Sequence, residues 1–420
     1  WGLRLRTGDG KLALTGGLAY ADNRFNDGTA NKSWGWTVRP IVRLGQTEIA
    51  PFAAVGRFVR NRTHTLVTVG NATGLPEFPQ RRLDLAQPWA VGRLHNEPYG
   101  VTVKSAITEK LSLRAGLFYA ISDRRGNFAE IYSLLDASGR SAHRVIADPE
   151  QDVHSTSGEV QLAWRHSAGA WQHRLIVGVR GRSRLTETGG SDVVTSAATP
   201  VYGSPDPIAE RPFVFRPVNQ GRVRQMSFML GYTGELAGLG SINLGLQKAR
   251  YRATNLAGAT GTVTRSRDNP WLYNATVGFD LSRELSAYIG SETGLEDSGT
   301  APEIATNRNE QLPSTRSTQY EAGLRWKHGG AQLVVSAFQI TKPNFAFDPG
   351  LAFVRQGDVR HRGIETSFSG HFGDRLHVVA GAVLMQPRVL GAAGGRPAGP
   401  PSALAPPHAR YPPRVLGGPA

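Results

Sequence analysis

The feature that most constrains this chain is a two-residue alternation that recurs in pairs of segments joined by tight turns. In the stretch 314–340, Tyr320, Ala322, Leu324 and Trp326 fall on one face, and Gln319, Glu321, Arg325 and Lys327 on the other. That period is the signature of a strand. Lys327-His328-Gly329-Gly330 is short and glycine-rich, and Leu333, Val335 and Ala337 resume an apolar face after it, so the pair reads as a hairpin. The stretch 360–384 repeats the device. Ile364, Thr366, Phe368 and Phe372 oppose Glu365, Ser367, Ser369 and His371, and Gly373-Asp374 turns the chain into Leu376, Val378, Ala380, Ala382 and Leu384. The run 334–340 carries apolar residues on both faces.

Six more pairs precede these two. Their turns fall at 7–11, 44–48, 108–110, 166–170, 236–240 and 281–285. The clearest alternation runs through Leu111, Leu113, Ala115, Leu117 and Tyr119 against Ser112, Arg114 and Gly116. Together they predict about sixteen strands of roughly ten residues, the length that spans a bilayer when tilted. The intervening connections (21–33, 61–98, 122–153, 186–221, 254–270, 294–315 and 341–355) are long and hold much of the Pro, Asn, Asp, Gly and Ser. Short turns at one end and long loops at the other are the plan of an all-β, transmembrane antiparallel β-barrel.

Composition agrees with that plan and removes others. The chain of 420 residues has no Cys, so it holds neither a disulfide framework nor a thiolate metal site. A mean hydropathy of -0.30 excludes helical spans only, because a membrane barrel is polar at alternate positions. No apolar run approaches the roughly 20 residues of a membrane helix. The net charge of +15 comes mainly from Arg, scattered through strands and loops rather than gathered into a basic stripe with a recognition helix, which argues against nucleic acid as a partner. A propeller would show a signature in each blade, and sandwich strands are shorter than these. Trp1 opens the chain and the first Met is Met226, so a processed or truncated piece is expected.

Residues 1–388 are read as the β-barrel segment. From Gly391 the chain is Gly, Ala and Pro with repeated Pro-Pro pairs, which deny donors to a ladder. Residues 389–420 are therefore expected to be a disordered or truncated tail, unable to close the barrel against its first strand.

Three motifs carry a more specific likeness: Gln-Tyr-Glu-x-Gly at 319–323, Phe-x-Ile-Thr-Lys at 338–342, and Gly-x-Val-Arg-x-Arg-Gly-Ile-Glu at 357–365. In that order and spacing, 315–389 resembles the barrel of TonB-dependent outer-membrane receptors of the siderophore type, and 269–294 with the loop ending at Ser314 resembles the part before it. The resemblance implies a barrel of about 22 strands, of which sixteen are visible, a plug domain absent from this sequence, uptake of a scarce ligand such as a ferric siderophore, coupling to the TonB complex through that plug, and residence in the outer membrane of a Gram-negative bacterium. A passive porin-like channel and an adhesive outer-membrane barrel are the alternatives.

Ferric chelates are often anionic, so Arg and aromatic side chains near loop ends are the sensible contacts. Arg60, Arg62, Arg81, Arg82, Phe128, Tyr132, Tyr202, Phe213 and Phe215 are candidates, and none is assigned as a site. Trp34, Trp36, Trp164, Trp171, Trp271 and Trp326 lie near predicted strand ends, where a headgroup-level girdle is the expected role. His361, His371 and His377 read as polar lining rather than metal ligands. The acidic run 148–152 lacks the turn of a calcium loop. No catalytic motif appears, and no enzyme activity, metal or cofactor is expected.

Overall fold

The computed structural model describes residues 1–25, 27–60, 62–63, 65–70, 85–196, 199–201, 208–373 and 376–391. Its strands in chain order are β1 (Gly2–Arg6), β2 (Leu12–Arg24), β3 (Ala30–Leu44), β4 (Thr47–Arg60), β5 (Thr65–Thr68), β6 (Gly92–Ala106), β7 (Leu111–Arg125) and β8 (Asn127–Leu134). They continue as β9 (Arg140–Asp148), β10 (Gln151–Ala168), β11 (Trp171–Thr188), β12 (Asp192–Thr195), β13 (Thr199–Pro200), β14 (Asn219–Leu236) and β15 (Gly240–Leu256). The last are β16 (Val263–Asp268), β17 (Trp271–Asp280), β18 (Leu285–Glu296), β19 (Thr315–His328), β20 (Ala331–Phe347), β21 (Phe353–Phe372) and β22 (Leu376–Leu390). Among the described residues there is no helix that could cross a membrane.

One antiparallel meander holds most of them. Pairing runs from β1 to β2, β3, β4, β6, β7, β10, β11, β14 and β15, then through β17, β18, β19, β20 and β21 to β22. β15 pairs with β16 through Tyr251–Leu256 and with β17 through Gly240–Lys248. β16 and β17 therefore fill one strand position, broken at Asn269-Pro270, where proline cannot donate to the ladder. Counted that way, the meander has the predicted sixteen positions, and the eight tight turns lie where the sequence places them. The last turn includes Asp374, outside the described residues, yet Phe372 pairs with Leu376 across it. Glycine with positive φ makes several of these reversals, as at Gly45 (φ 58) and Gly169 (φ 59), a conformation that carries no steric cost without a Cβ.

Two expectations are corrected. Most strands are longer than the predicted length: β10, β11 and β14 have 18 residues each and β21 has 20, while β17 keeps ten. The connection expected over 21–33 contracts to the short gap between Arg24 and Ala30, and that over 341–355 to the gap between Phe347 and Phe353. Beyond a lipid-facing band both faces of a strand meet water, so alternation ceases although the ladder continues. Second, the long connections are not structureless. β5, β8, β9, β12 and β13 form a separate small sheet at the loop end. The tail beyond residue 391 lies outside the described residues.

The pleat sends one set of side chains outward along every strand. Along one rung Leu113 faces Leu162, Leu162 faces Val177, Val177 faces Leu230, Leu230 faces Leu246 and Leu246 faces Tyr273. This face is unburied by protein: Leu117 is 57% exposed, Ile289 58% and Leu384 75%. A contiguous apolar surface of that extent is matched by lipid, not water. Trp164, Trp171 and Trp326 border it on the turn side, and Trp34, Trp36 and Trp271 on the loop side, as expected of two girdles. On the turn side the tryptophans stack with histidines, Trp164 on His166 at 5.4 Å and Trp171 on His173 at 5.8 Å.

Candidate ligand-binding site

The opposite face is polar. On β11, Arg174, Arg180, Arg182 and Arg184 alternate with the outward Leu175, Val177 and Val179, so the pleat alone aligns four cations inward. Across the neighbouring rungs they meet Glu159 and Gln161 on β10 and Gln225 and Ser227 on β14. Arg180 donates from Nη2 to Gln247 Oε1 at 3.2 Å, and Gln247 Nε2 donates to Ser227 Oγ at 2.8 Å. Arg180 and Arg182 line a cleft of about 420 Å³ with Phe118, Glu159, Gln225 and Leu295. Arg182 makes no ion pair within 4 Å among the described residues, and the Arg174 Nε is buried without a hydrogen-bond partner. One wall of the interior thus offers guanidinium donors, amide groups and an aromatic ring together. Such a wall suits an oxygen-rich anionic ligand.

At the loop end a second group converges. Trp89, Phe128 and Phe213 lie with ring centroids 5.6 to 5.9 Å apart, Phe215 stacks on Phe213 at 6.1 Å, and the Arg211 guanidinium sits 5.5 Å over the Phe213 ring. Arg211 also pairs with Asp192 at 2.8 Å, and that contact with the Val214 amide holds the Asp192 carboxyl below its usual range. Arg60 and Phe128 line a cleft of about 350 Å³ with Phe58, Arg93 and Arg124.

The sequence candidates therefore divide. Arg60, Phe128, Phe213 and Phe215 belong to this loop-end group, and Arg62 stands beside it in the chain. Tyr132 does not. It is 1% exposed, packs with Leu85, Leu134 and Val201, stacks on His143 at 4.1 Å and donates to Leu85 O at 2.8 Å, so it is a core residue of the small sheet. Arg81, Arg82 and Tyr202 lie outside the described residues. The inward arginines of β11 and Trp89 were not singled out from sequence, although the alternation of Arg with Val and Leu in 174–184 was the signal available for the former.

Histidine and carboxylate groups do not gather into a metal site among the described residues. His371 and His377 face each other across the last turn, stacked at 4.3 Å and exposed, and His361 lies at the other end of β21. In the acidic run, Asp148 accepts from Asn127 and Ser191 while Glu150 pairs with Arg125, so its carboxylates are turned to different partners.

A family model described as TonB dependent receptor-like, beta-barrel, matches residues 35–408. Among solved structures, the chain is similar to BauA, the ferric preacinetobactin receptor from Acinetobacter baumannii, at 19% identity and a TM-score of 0.74, covering 92% of this chain and 59% of that one. It is also similar to the ferric-catecholate import receptor Fiu from E. coli K12 (13%, TM-score 0.76, 92% and 62%) and to the pyoverdine outer membrane receptor FpvA from Pseudomonas aeruginosa (14%, TM-score 0.74, 92% and 58%). At these identities the likeness is one of fold, and the chain spans about three-fifths of the length of those proteins. A comparison with curated proteins returns no match.

Proposed function

Since the chain belongs to the TonB-dependent receptor β-barrel family, we propose that the complete receptor takes up a scarce anionic chelate, a ferric siderophore, across the outer membrane. The observation that carries this reading is the inward row Arg180 and Arg182, set in a polar cleft with Phe118 and Gln225. Guanidinium groups bind oxygen-rich anions by paired donors, and low-dielectric barrel walls strengthen the attraction beyond its value in water. The aromatic group of Trp89, Phe128 and Phe213 is the first surface that such a ligand meets at the loop end. It offers stacking for planar chelating rings.

Entry then proceeds from the loop-end aromatics to the arginine row. Release to the other side requires the plug domain and the TonB complex, partners inferred from the family. The role so proposed is transport rather than catalysis. In support of the ligand class, BauA is named as a ferric preacinetobactin receptor, Fiu as a ferric-catecholate import receptor and FpvA as a pyoverdine receptor.

The test is binding of a radiolabelled ferric siderophore to outer membranes that carry the full-length receptor. Replacing Arg180 and Arg182 together by Gln is expected to weaken binding on the order of tenfold or more, two charge-assisted contacts each contributing ~1.5–3 kcal/mol at most. Unchanged binding across a panel of catecholate, hydroxamate and mixed siderophores, with the receptor present at the surface, would sink the reading.

A further inference from the structure

The outward face of β14, β15 and β16 carries six arginines immediately beyond the apolar band. Moving up from the loop-side girdle, Lys248 lies 5.0 Å over Trp271, and Arg250 pairs with Met226 in the next rung. Arg224, Arg252 and Arg267 then stand directly opposite one another in a single rung, followed by Arg222 and Arg265 flanking Thr254. All six are exposed, and none makes an ion pair among the described residues. The two carboxylates of these strands, Glu235 and Asp268, sit on the inward face. On the adjoining strand the outward Glu187 is engaged by Gln220 and by the Asp152 amide.

Like charges directly opposite in a ladder destabilise it. A rung of three arginines, spanning roughly 10 Å across two interstrand spacings, is repulsive, and an anion lying over it relieves that repulsion. The patch begins where the lipid-facing surface ends, so the anion at that height is a lipid headgroup. We propose that this face binds the phosphate groups of outer-leaflet glycolipid, with Arg224, Arg252 and Arg267 as the central contacts. The inference rests on reading the apolar band as lipid-facing. Guanidinium suits phosphate through paired donors, and juxtamembrane arginines hold anionic headgroups by the same attraction. The neighbouring rungs of Leu185 with Arg222 and Ser183 with Arg224 bound the patch on the β11 side.

Full-length receptor extracted from outer membranes is washed in detergent, and the retained lipid A is quantified by mass spectrometry. Wild type is expected to retain lipid A, and R224Q/R252Q/R267Q to lose it by on the order of tenfold, while R224K/R252K/R267K keeps an intermediate amount. Vesicles of lipid A against vesicles of its dephosphorylated form give the second arm, with wild type expected to bind the former. Equal retention by wild type and the Gln variant, no retention by either, or equal binding to both vesicles overturns the proposal. Absence of wild type from the outer-membrane fraction would instead overturn the lipid-facing reading, so the two failures are distinguishable.

Discussion

Tyr288, on the inward face of β18, shows what the family motifs do at the level of single atoms. Its hydroxyl donates to Glu321 Oε1 at 2.5 Å, and Gln319 Nε2 donates to Glu321 Oε2 at 3.1 Å, so two polar members of Gln-Tyr-Glu-x-Gly are one hydrogen-bonded unit. The glycine of that motif is steric: a Cβ at Gly323 would lie 2.7 Å from the Tyr288 ring. Gly363 repeats the arrangement with Phe338, its cross-strand partner. A Cβ there would meet the Phe338 ring at 2.7 Å and Leu384 O at 2.5 Å. Gly363→Val is therefore expected to lower stability by ~1–3 kcal/mol through overpacking, read as a lower unfolding temperature of the heat-modifiable band on gels. Gly8→Ala, with no atom within 4 Å of the added Cβ, is the control expected to change nothing. Equal stability of the two variants would refute the steric account of the motif.

The small sheet at the loop end, built from β5, β8, β9, β12 and β13, is the element that sequence patterning concealed. Its buried face alternates Glu130, Tyr132 and Leu134 on β8 with Ser141, His143, Val145 and Ala147 on β9, so three of these seven buried residues are polar and no apolar stripe announces it. The barrel strands were legible because lipid demands apolar side chains at every second position. Here a tertiary partner replaces that demand. Glu130 accepts from the Gln87 amide at 2.7 Å and lies 3.1 Å from His143 Nε2, both side chains being 0% exposed. Glu130→Leu removes the acceptor for both donors, and breaking a buried pair of this kind costs roughly 3–5 kcal/mol. The expected outcome is rapid hydrogen exchange in β8 and β9 with β10 and β11 still protected; unchanged protection in β8 would count against it. Acid acts at a different point of the same layer. Arg211 and the Val214 amide hold the Asp192 carboxyl below its ordinary value of 3.8. The stabilisation is thus fully present above that value and fades as pH falls through the lower, folded one. Trp89, packed on Phe213 beside Arg211, should report the release as a fluorescence change on acidification below 3.8, and Arg211→Gln should move the change upward toward 3.8. A transition that ignores Arg211 would show that some other carboxylate governs the layer.

For the molecule as a whole, the decisive property is that the meander, over the described residues, has two edges. β1 pairs only with β2 and β22 only with β21 among the described residues. β22 runs over 15 residues, with Leu376 and Leu384 on its outward face exposed at 55% and 75%, and its side away from β21 presents backbone donors and acceptors without a ladder partner among the described residues, at the depth of the apolar band. In hydrocarbon each such group costs several kcal/mol, on the order of 2–7, and the middle of β22, from Val378 to Met385, carries no polar side chain. Both edges must be paired, by each other or by further strands, before the sheet is stable in a bilayer. The amino acids alone foretold the turns, the girdles and the strand positions, because those follow from local alternation; closure is a property of chain ends meeting at a distance, which alternation does not encode. The 420-residue chain expressed alone is accordingly expected not to yield a heat-modifiable, bilayer-inserted species, whereas the full-length receptor does. Refolding both into lipid vesicles and comparing their protection from added protease checks this. Protection of the isolated chain equal to that of the full-length receptor would mean that β1 and β22 find partners without any additional strand.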